Sequence, residues 1–258
     1  MVQHRVILIT GSARGIGFEI GKRFAELGDL VVLSDRDRSA VELAADQLRQ
    51  LGLQVIGLEL DVTSEMELAE TIQKVEEMYG RLDILINNAG MQHVSYIEDF
   101  PTEKFEQMIK VMLVAPFMAM KQVIPLMKKH GFGRIINIAS INGLVGFAGK
   151  AAYNSAKHGV IGLTKAAALE TARYGITVNA LCPGYVDTTL VREQLSEIAS
   201  TRNIPIQNVM EEVIFPFVPQ HRLLEVYEVA EYAIFLAAAH AKGITGQAIV
   251  IDGGYTAQ

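Results

Sequence analysis

The chain has 258 residues, a length that one α/β domain spanning residues 1–258 accommodates. Half of the residues are hydrophobic and 20% are charged, which excludes an intrinsically disordered or low-complexity chain. Acidic residues outnumber basic ones by 29 to 23, and no block of basic residues is present, so the charge balance argues against nucleic acid as a partner.

Short, almost continuously apolar runs rich in β-branched residues recur along the chain and predict seven strands. The runs lack the alternation of a half-exposed sheet, so we expect strands that are covered on both faces. This pattern predicts an α/β fold with a Rossmann-type, doubly wound parallel sheet and helices on both faces. The runs fall at residues 6–10, 30–34, 55–58, 84–86, 134–138, 176–180 and 248–251.

Helical patterns fill the segments between these runs. Ser64 and Glu67 have the spacing of a capping box, which places a helix start there. Between residues 187 and 221 the alternation gives way to a stretch with mixed charges and three prolines. We expect this loop-rich stretch to form a mobile substrate lid, with an ordinary helical insertion as the alternative. The predicted helices cover residues 16–27, 39–51, 64–79, 102–129, 152–172 and 226–239.

Three glycines follow the first predicted strand directly. Gly11 permits a tight turn, Gly15 lets the backbone approach a pyrophosphate, and Gly17 allows close packing of the helix that begins here. The free N–H groups and the positive helix end favour phosphates, so the turn is a candidate dinucleotide site. Taken alone, this glycine spacing is equally consistent with a turn that binds no ligand. The turn also contains Ser12, Arg14 and Ile16.

Asp35 closes the second predicted strand, near the place where an acidic side chain meets the adenosine ribose of NAD. A carboxylate there would also repel the ribose phosphate of NADP. Arg14 and Arg36 act in the opposite direction, since either could neutralise that phosphate. The balance favours NAD, with NADP as the alternative.

Tyr153 and Lys157 stand one turn apart on one predicted helix, and Ser140 ends a strand upstream. A phenol with a pKa near its usual value of about 10 is a poor base at neutral pH, and a nearby ammonium lowers that value. We therefore expect Lys157 to tune Tyr153, which exchanges a proton with the substrate oxygen while Ser140 holds that oxygen. The alternative is that Tyr153 and Lys157 form a pair on the protein surface without a catalytic role.

In their order along the whole chain, these residues resemble the short-chain dehydrogenase/reductase family. The resemblance implies an NAD(P)-dependent oxidoreductase with Ser140, Tyr153 and Lys157 in its active site. The motifs that carry it are Thr10-Gly11 to Gly17, Asn87-Asn88-Ala89-Gly90, Ser140, Tyr153 with Lys157, Pro183-Gly184 and Asp252-Gly253-Gly254. The implied cofactor contacts beyond the glycine turn are Asp35, Asp61, Val62, Asn88, Ala89, Gly90, Tyr153, Lys157, Pro183, Gly184, Val186 and Thr188.

One position departs from the family pattern. An Asn usually follows the fourth strand and supports the active-site Lys through water, but Met112 stands there in this chain. The departure implies slower chemistry or a rerouted water chain, while core packing is the alternative role of Met112. It also leaves open a cofactor-binding scaffold with impaired catalysis.

Within the family, several stretches are similar to bacterial D-3-hydroxybutyrate dehydrogenases. The similarity implies interconversion of (R)-3-hydroxybutyrate and acetoacetate, with the substrate carboxylate held by Gln92, Lys150 and Gln194. Another reductase of the family, acting on acyl-carrier ketones, sugars or alcohols, is the rival. Asn142 replaces the usual His, and Tyr185 and Tyr255 stand where Trp is common. The implied substrate residues are Gln92, Ser140, Asn142, Lys150, Tyr153, Tyr185 and Gln194.

The remaining expectations concern metal, compartment and assembly. The histidines show no ligand spacing with acidic or Cys partners, so we expect no catalytic metal. Cys182 is the single cysteine, the start of the chain lacks the pattern of a secretory signal, and the apolar runs are shorter than a bilayer span. These features predict a soluble cytoplasmic protein that does not bind membranes. The family resemblance implies a homotetramer.

Overall fold

The computed structural model describes residues 4–257, so residues 1–3 and 258 of the predicted domain lie outside the description. The strands of its sheet are β1 (Val6–Thr10), β2 (Leu30–Asp35), β3 (Val55–Glu59), β4 (Ile84–Asn87), β5 (Gly133–Ile138), β6 (Ile176–Pro183) and β7 (Ala248–Ile251). All neighbouring strands pair in parallel, in the order β3-β2-β1-β4-β5-β6-β7. The predicted doubly wound sheet is confirmed. Its order reverses between β1 and β4, and such switch points are where open α/β sheets bind ligands.

Helices cover both faces of the sheet and bury an apolar layer on each. The helices are α1 (Gly15–Glu26), α2 (Arg38–Gln50), α3 (Glu65–Tyr79), α4 (Thr102–Ile109), α5 (Ala115–His130), α6 (Ala151–Thr171), α7 (Thr189–Arg202) and α8 (Val226–Ala237). One layer joins α1, α2 and α8 through side chains such as Phe24 and Leu236. The opposite layer joins α3, α5 and α6 through side chains such as Ile72 and Val123. Burial on both faces explains why the strands are apolar without alternation.

Local signals fix several helix ends. The Ser64 hydroxyl accepts a hydrogen bond from the Glu67 backbone N–H, and Gly80 ends α3 with φ 73°. The predicted capping box is only half formed, because the Glu67 carboxylate accepts from the backbone N–H of Asp61 instead. The Glu67 side chain therefore braces the turn after β3, where Asp61 is expected to meet the cofactor.

The helix predicted over residues 102–129 is interrupted by a π-helical turn, Lys110–Val114, between α4 and α5. The continuous stretch Thr102–His130 has 29 residues and a mean hydropathy of 1.5, so by length and composition it could cross a membrane. The apolar runs in the sequence do not show this, since polar residues interrupt them. In the fold, the inner side of this stretch packs on the sheet and on α3 and α6, as the core helix of a soluble domain does.

The segment predicted as a loop-rich lid is largely helical. It consists of α7 followed by short 3-10 and π-helical turns, and together with neighbouring residues it encloses its own apolar cluster, which includes Ile198 and Val213. Thr188 caps the start of α7, and Asn203 ends it with φ 54°. Mixed charges obscure this helix in the sequence, and its buried residues include the polar Gln194, which weakens the apolar pattern.

Candidate active site

The glycine turn between β1 and α1 brings the backbone close to β4. Gly11 adopts φ 60°, and a Cβ there would lie 2.6 Å from the Ala89 Cα. At Gly17 a Cβ would lie 2.5 Å from Nδ2 of Asn88, which donates to the Thr10 and Gly11 carbonyls. The turn therefore requires glycine at both positions. Through these hydrogen bonds the Asn88 amide N–H groups hold the glycine turn in place, so their partners are backbone atoms of the protein.

The start of α1 suits a phosphate group. Its N-cap residue Arg14 makes no capping hydrogen bond through its side chain, and the first turn carries no acidic residue among the described positions. Gly15 adopts φ 62° beside this end. Backbone N–H groups at a helix start, together with the helix dipole, bind anions. The turn therefore fits the pyrophosphate of a dinucleotide at the switch point of the sheet.

Asp35 ends β2 beside the glycine turn. Its carboxylate accepts from the backbone N–H groups of Ala13 at 3.4 Å and Asp37 at 3.3 Å. Arg14 and Arg36 are both exposed. This arrangement places a carboxylate where the ribose hydroxyls of a dinucleotide bound at the turn would lie.

The other predicted cofactor contacts follow the ends of β3, β4 and β6. Asp61 Oδ1 accepts from the backbone N–H and the hydroxyl of Thr63, which orders this turn. The Thr188 Cγ2 atom lies 3.8 Å from the position of a Cβ on Gly15, so the start of α7 faces the glycine turn. The other predicted contacts at these strand ends are Val62, Ala89, Gly90, Pro183, Gly184 and Val186.

Ser140 and Tyr153 meet across the pocket. Ser140 directly follows the short link after β5, and its hydroxyl accepts from the Asn142 backbone N–H at 3.1 Å. The Tyr153 phenol, on the first turn of α6, is hydrogen-bonded to the Ser140 side chain. Burial raises the pKa of Tyr153 to about 12, while the Ser140 bond acts in the opposite direction. The phenol is therefore protonated at neutral pH and can donate its proton.

Lys157 lies one turn farther along α6, with its ammonium 5.5 Å from the centre of the Tyr153 ring. Its Nζ donates to the Ile138 carbonyl at 2.6 Å, and burial lowers the pKa of Lys157 to about 8. The sequence predicts that Lys157 lowers the pKa of Tyr153, but the pKa of this phenol is raised. The physical reason is burial of the phenol, and the Lys157 ammonium, which donates to the Ile138 carbonyl, is not among the groups that shift this pKa.

Lys150 is a buried cation in the same pocket. Its side chain is only 2% exposed, and its Nζ donates to Oε1 of Gln194 at 3.0 Å. The rings of Phe147, Tyr185 and Tyr153 lie 4.8, 5.3 and 5.9 Å from this ammonium. Burial lowers the pKa of Lys150 to about 8. A largely desolvated ammonium with a single hydrogen-bonded side chain favours an anionic ligand.

All seven predicted substrate residues line one pocket. Gln92 Nε2 donates weakly to Gln194 Oε1, at 3.4 Å. Sequence reasoning missed two apolar lining residues, Ile141 and Val191. Val191 stands three residues before Gln194 on α7, so helical spacing from Gln194 could have identified it. The lining residues are Gln92, Ser140, Ile141, Asn142, Lys150, Tyr153, Gly184, Tyr185, Val191 and Gln194.

Glu197 holds α7 against the segment after β4 and was also missed. Its carboxylate accepts from the Val94 backbone N–H at 3.0 Å and lies 3.6 Å from Nδ1 of His93. Glu197 stands three residues after Gln194, so both side chains project from one side of α7. The helix thus reaches across the pocket at two points, through Gln194 to Lys150 and through Glu197 to Val94.

Met112 lies inside the π-helical turn and is 2% exposed. It packs with Met108, Ala152 and Ala156, in contact with the partly buried Tyr153. The departure from Asn therefore replaces a polar side chain with an apolar one directly behind the catalytic helix. Core packing is the role that these contacts support.

We searched the described part of the chain for side chains that could bind a metal ion. Within residues 4–257, no group of three His, Cys, Asp or Glu side chains is arranged to hold a metal ion.

A family model described as short chain dehydrogenase matches residues 5–199. The chain belongs to the short-chain dehydrogenase family. This short-chain dehydrogenase is therefore an oxidoreductase, and its glycine turn fits the nucleotide cofactor that such enzymes use. The order of motifs predicts this membership from the sequence alone.

The chain is similar over its full length to several oxidoreductases, whose names do not agree on one substrate. The chain is 63% identical to the uncharacterized oxidoreductase YxjF of Bacillus subtilis (strain 168), over 100% of both chains. It is 43% identical to D-beta-hydroxybutyrate dehydrogenase of Rhizobium meliloti (strain 1021), over 98% of this chain and 99% of that one. It matches a solved actinorhodin polyketide ketoreductase variant with NADPH at a TM-score of 0.94 and 35% identity, covering 98% and 97% of the two chains. The predicted similarity to D-3-hydroxybutyrate dehydrogenases is confirmed.

Proposed function

We propose that this short-chain dehydrogenase interconverts (R)-3-hydroxybutyrate and acetoacetate with NAD. The observation that carries the proposal is Lys150, a buried ammonium in the same pocket as Ser140 and Tyr153, whose one hydrogen-bonded side chain is Gln194. A short acid with a carboxylate and an oxygen two carbons away would satisfy both ends of this pocket. The similarity to D-beta-hydroxybutyrate dehydrogenase supports the same substrate class.

The reacting oxygen would lie between Ser140 and Tyr153. Bound at the glycine turn, NAD or NADH would accept or supply the hydride at carbon 3 of the substrate. In reduction, the protonated Tyr153 gives its proton to the developing alkoxide, to which Ser140 donates a hydrogen bond. In oxidation, Tyr153 must first release its own proton to solvent, and the resulting phenolate, beside the Lys157 ammonium, takes the proton from the substrate hydroxyl. The raised pKa of Tyr153 favours the acid role, so reduction begins from the form that predominates at neutral pH.

Lys157 would serve the cofactor and the phenol together. Its ammonium is buried beside Tyr153 and bonded to the Ile138 carbonyl, which leaves two of its three protons for other acceptors. We assign those protons to the ribose hydroxyls of the cofactor. The positive charge also stabilises phenolate when Tyr153 has given up its proton.

The substrate carboxylate would bind at Lys150, with Gln92 and Gln194 as neutral donors. Asn142 adds a fourth donor, because its buried Nδ2 has no hydrogen-bond partner among residues 4–257. Each carboxylate oxygen accepts more than one hydrogen bond, so these groups can act together. The pairing of Gln194 with Lys150 holds the amide in place before the acid binds.

The choice of NAD rests on Asp35. A carboxylate beside the glycine turn accepts the ribose hydroxyls of NAD and repels an added phosphate. Arg14 and Arg36 are the groups through which NADP could still bind, and they are exposed, whereas Asp35 is fixed by two backbone N–H groups. Because the chain is also similar to a ketoreductase solved with NADPH, the preference for NAD over NADP needs a direct test.

The remaining proposals concern the lid, the assembly and the compartment. We assign residues 187–221 as the substrate lid of a single domain spanning 1–258, because α7 contributes Gln194 to the pocket. Exposed apolar side chains on α5, α6 and α8 fit a homotetramer in which neighbouring subunits cover them. They include Phe117 (50% exposed), Leu169 (84%), Tyr232 (40%) and Phe235 (44%). We infer a cytoplasmic location from the soluble fold and from the single, buried Cys182.

The second candidate is a reductase of uncharged ketones, which the similarity to the polyketide ketoreductase favours. Reduction of acetoacetate and of its methyl ester separates the two, because the ester lacks the charge and is larger by only one methyl group. Under our proposal kcat/KM is higher for acetoacetate, by about 10-fold or more, since Lys150 forms a hydrogen-bonded ion pair only with the acid. An equal or higher kcat/KM for the ester would favour the second candidate.

A further inference from the structure

Four buried side-chain atoms have no hydrogen-bond partner within residues 4–257. Two of them belong to residues that line the substrate pocket, namely Asn142 Nδ2 and the Tyr185 hydroxyl. Buried polar atoms are paired as a rule, and those that are not call for an explanation. Because both fall in one small pocket, the explanation that they share is a ligand that completes their hydrogen bonds.

The Tyr185 hydroxyl is not needed for packing. Its ring is 7% exposed and belongs to the apolar cluster beneath α7, 6.2 Å from the Tyr255 ring. Its backbone carbonyl accepts from the Leu224 N–H at 2.8 Å, which fixes the residue in place. A phenylalanine would make the same apolar contacts without burying a hydroxyl. The hydroxyl is therefore an unfavourable feature of the fold unless a ligand uses it.

The proposed substrate leaves this hydroxyl without a partner. In that substrate, the oxygen on carbon 3 binds Ser140 and Tyr153, and the carboxylate takes the donors that include Lys150 and Asn142. The two remaining carbons of 3-hydroxybutyrate are a methylene and a methyl group, neither of which can be a hydrogen-bond partner for the hydroxyl. Tyr185 lines the same pocket as Lys150, and the centre of its ring lies 5.3 Å from the Lys150 ammonium.

We propose that Tyr185 is a specificity-determining residue that binds a second hydroxyl on the substrate, carried by a carbon next to the reacting one. The preferred substrates are then short 3-hydroxy acids with a further hydroxyl on carbon 2 or carbon 4. This inference rests on the proposed function, because it assumes a 3-hydroxy acid bound to Lys150. A site that hydrogen-bonds a substrate hydroxyl discriminates strongly against analogues that lack it.

The test compares two pairs of acids of nearly equal size, each with the same spatial configuration at carbon 3. One pair is 3,4-dihydroxybutyrate and 3-hydroxyvalerate, and the other is 2,3-dihydroxybutyrate and 2-methyl-3-hydroxybutyrate. In each pair a hydroxyl replaces a methyl group. The quantity measured is the ratio of kcat/KM within a pair, for the wild-type enzyme, Tyr185→Phe and Tyr255→Phe, with (R)-3-hydroxybutyrate as reference.

We expect the wild-type enzyme to prefer the hydroxyl member of at least one pair by about 10-fold or more. Tyr185→Phe brings that ratio to about 1 or below, because the partner of the hydroxyl is gone, while Tyr255→Phe keeps the wild-type preference. A wild-type ratio near 1 in both pairs overturns the inference, as does a preference that survives in Tyr185→Phe. If either of these two results occurs while (R)-3-hydroxybutyrate is still oxidised, the inference about Tyr185 fails and the proposed function stands. Absence of turnover with every acid overturns both.

Discussion

Replacement of Lys150 by methionine separates the charge of this side chain from its volume. Methionine has a similar length and fills the space between the Phe147 and Tyr185 rings without an ammonium. Lys165, exposed on α6, provides the matched control variant Lys165→Met. Two independent quantities should respond to Lys150→Met, namely the preference for anionic substrates and the stability of the fold.

The effect on catalysis follows from one lost charge-assisted hydrogen bond. Such bonds contribute about 1.5–3 kcal/mol, so kcat/KM for acetoacetate should fall by about 10-fold to 150-fold. The methyl ester of acetoacetate has no charge to lose, and its kcat/KM should change by less than about 3-fold. The preference for the acid therefore collapses in Lys150→Met and persists in Lys165→Met.

The effect on stability follows from the pKa of Lys150, which burial lowers from 10.5 to about 8. This difference corresponds to about 3 kcal/mol of unfavourable free energy for the buried charge. Below pH 8 the amine is charged in both the folded and unfolded chain, so the whole penalty is present. Between pH 8 and 10.5 the folded protein releases this proton first, the unfolded chain binds more protons, and wild-type stability rises relative to the variant.

Lys150→Met should therefore be more stable than the wild type at pH 7, by up to about 3 kcal/mol, because the loss of the Gln194 bond offsets part of the gain. Its advantage should shrink toward pH 10. Urea unfolding at both pH values measures this, alongside reduction rates for acetoacetate and its ester. Equal losses of kcat/KM on the acid and the ester, or a variant less stable than wild type at pH 7, would refute the reasoning.

Three further substitutions test the cofactor and catalytic assignments. Tyr153→Phe should lower kcat by about 100-fold to 10,000-fold while NADH binding, followed by fluorescence, is retained; residual turnover near the wild-type rate would contradict the acid role. Asp35→Asn should raise the ratio of kcat/KM for NADP over NAD by about 10-fold or more, and an unchanged ratio would show that Asp35 does not select the cofactor. Met112→Asn buries an amide between Met108 and Ala156 and should lower the melting temperature by about 2–10 °C without a gain in turnover. A large gain in turnover would instead show that a proton relay is impaired in the wild type.

The strands and most helices could be predicted because their signals are local. β1 and β7 have the predicted bounds, since apolar runs and turn residues stand directly beside each other there. β6 extends three residues beyond the predicted end, to Pro183, because its pairing with β7 continues to that residue. This pairing is a contact between distant parts of the chain, and no local pattern contains it.

Side-chain partners were harder to predict than elements. Ser64 has the expected bond, but the Glu67 carboxylate turns to the Asp61 backbone because that turn comes within reach only after folding. Lys157 has the expected place beside Tyr153, yet the sequence could not show the burial that raises the pKa of the phenol. The degree of burial depends on the helices and loops that surround α6 in the folded chain.

In the pocket, too, the residues could be predicted from the sequence but their hydrogen-bond partners could not. Resemblance to relatives identifies its polar residues, and the structure brings all seven to one cavity. The pairing of Lys150 with Gln194, and the unpartnered hydroxyl of Tyr185, depend on how α7 crosses the pocket. Mixed charges within that helix, and the polar Gln194 on its buried side, hide it from a sequence pattern.

The initial rate of NADH formation from (R)-3-hydroxybutyrate tests the central claim most directly. The same assay is run with the (S) enantiomer and with NADP in place of NAD, and Tyr153→Phe serves as the inactive control. The account predicts oxidation of the (R) acid with NAD and much slower oxidation of the (S) acid. Equal rates for the two enantiomers, or no NADH formation from the (R) acid, would contradict the account.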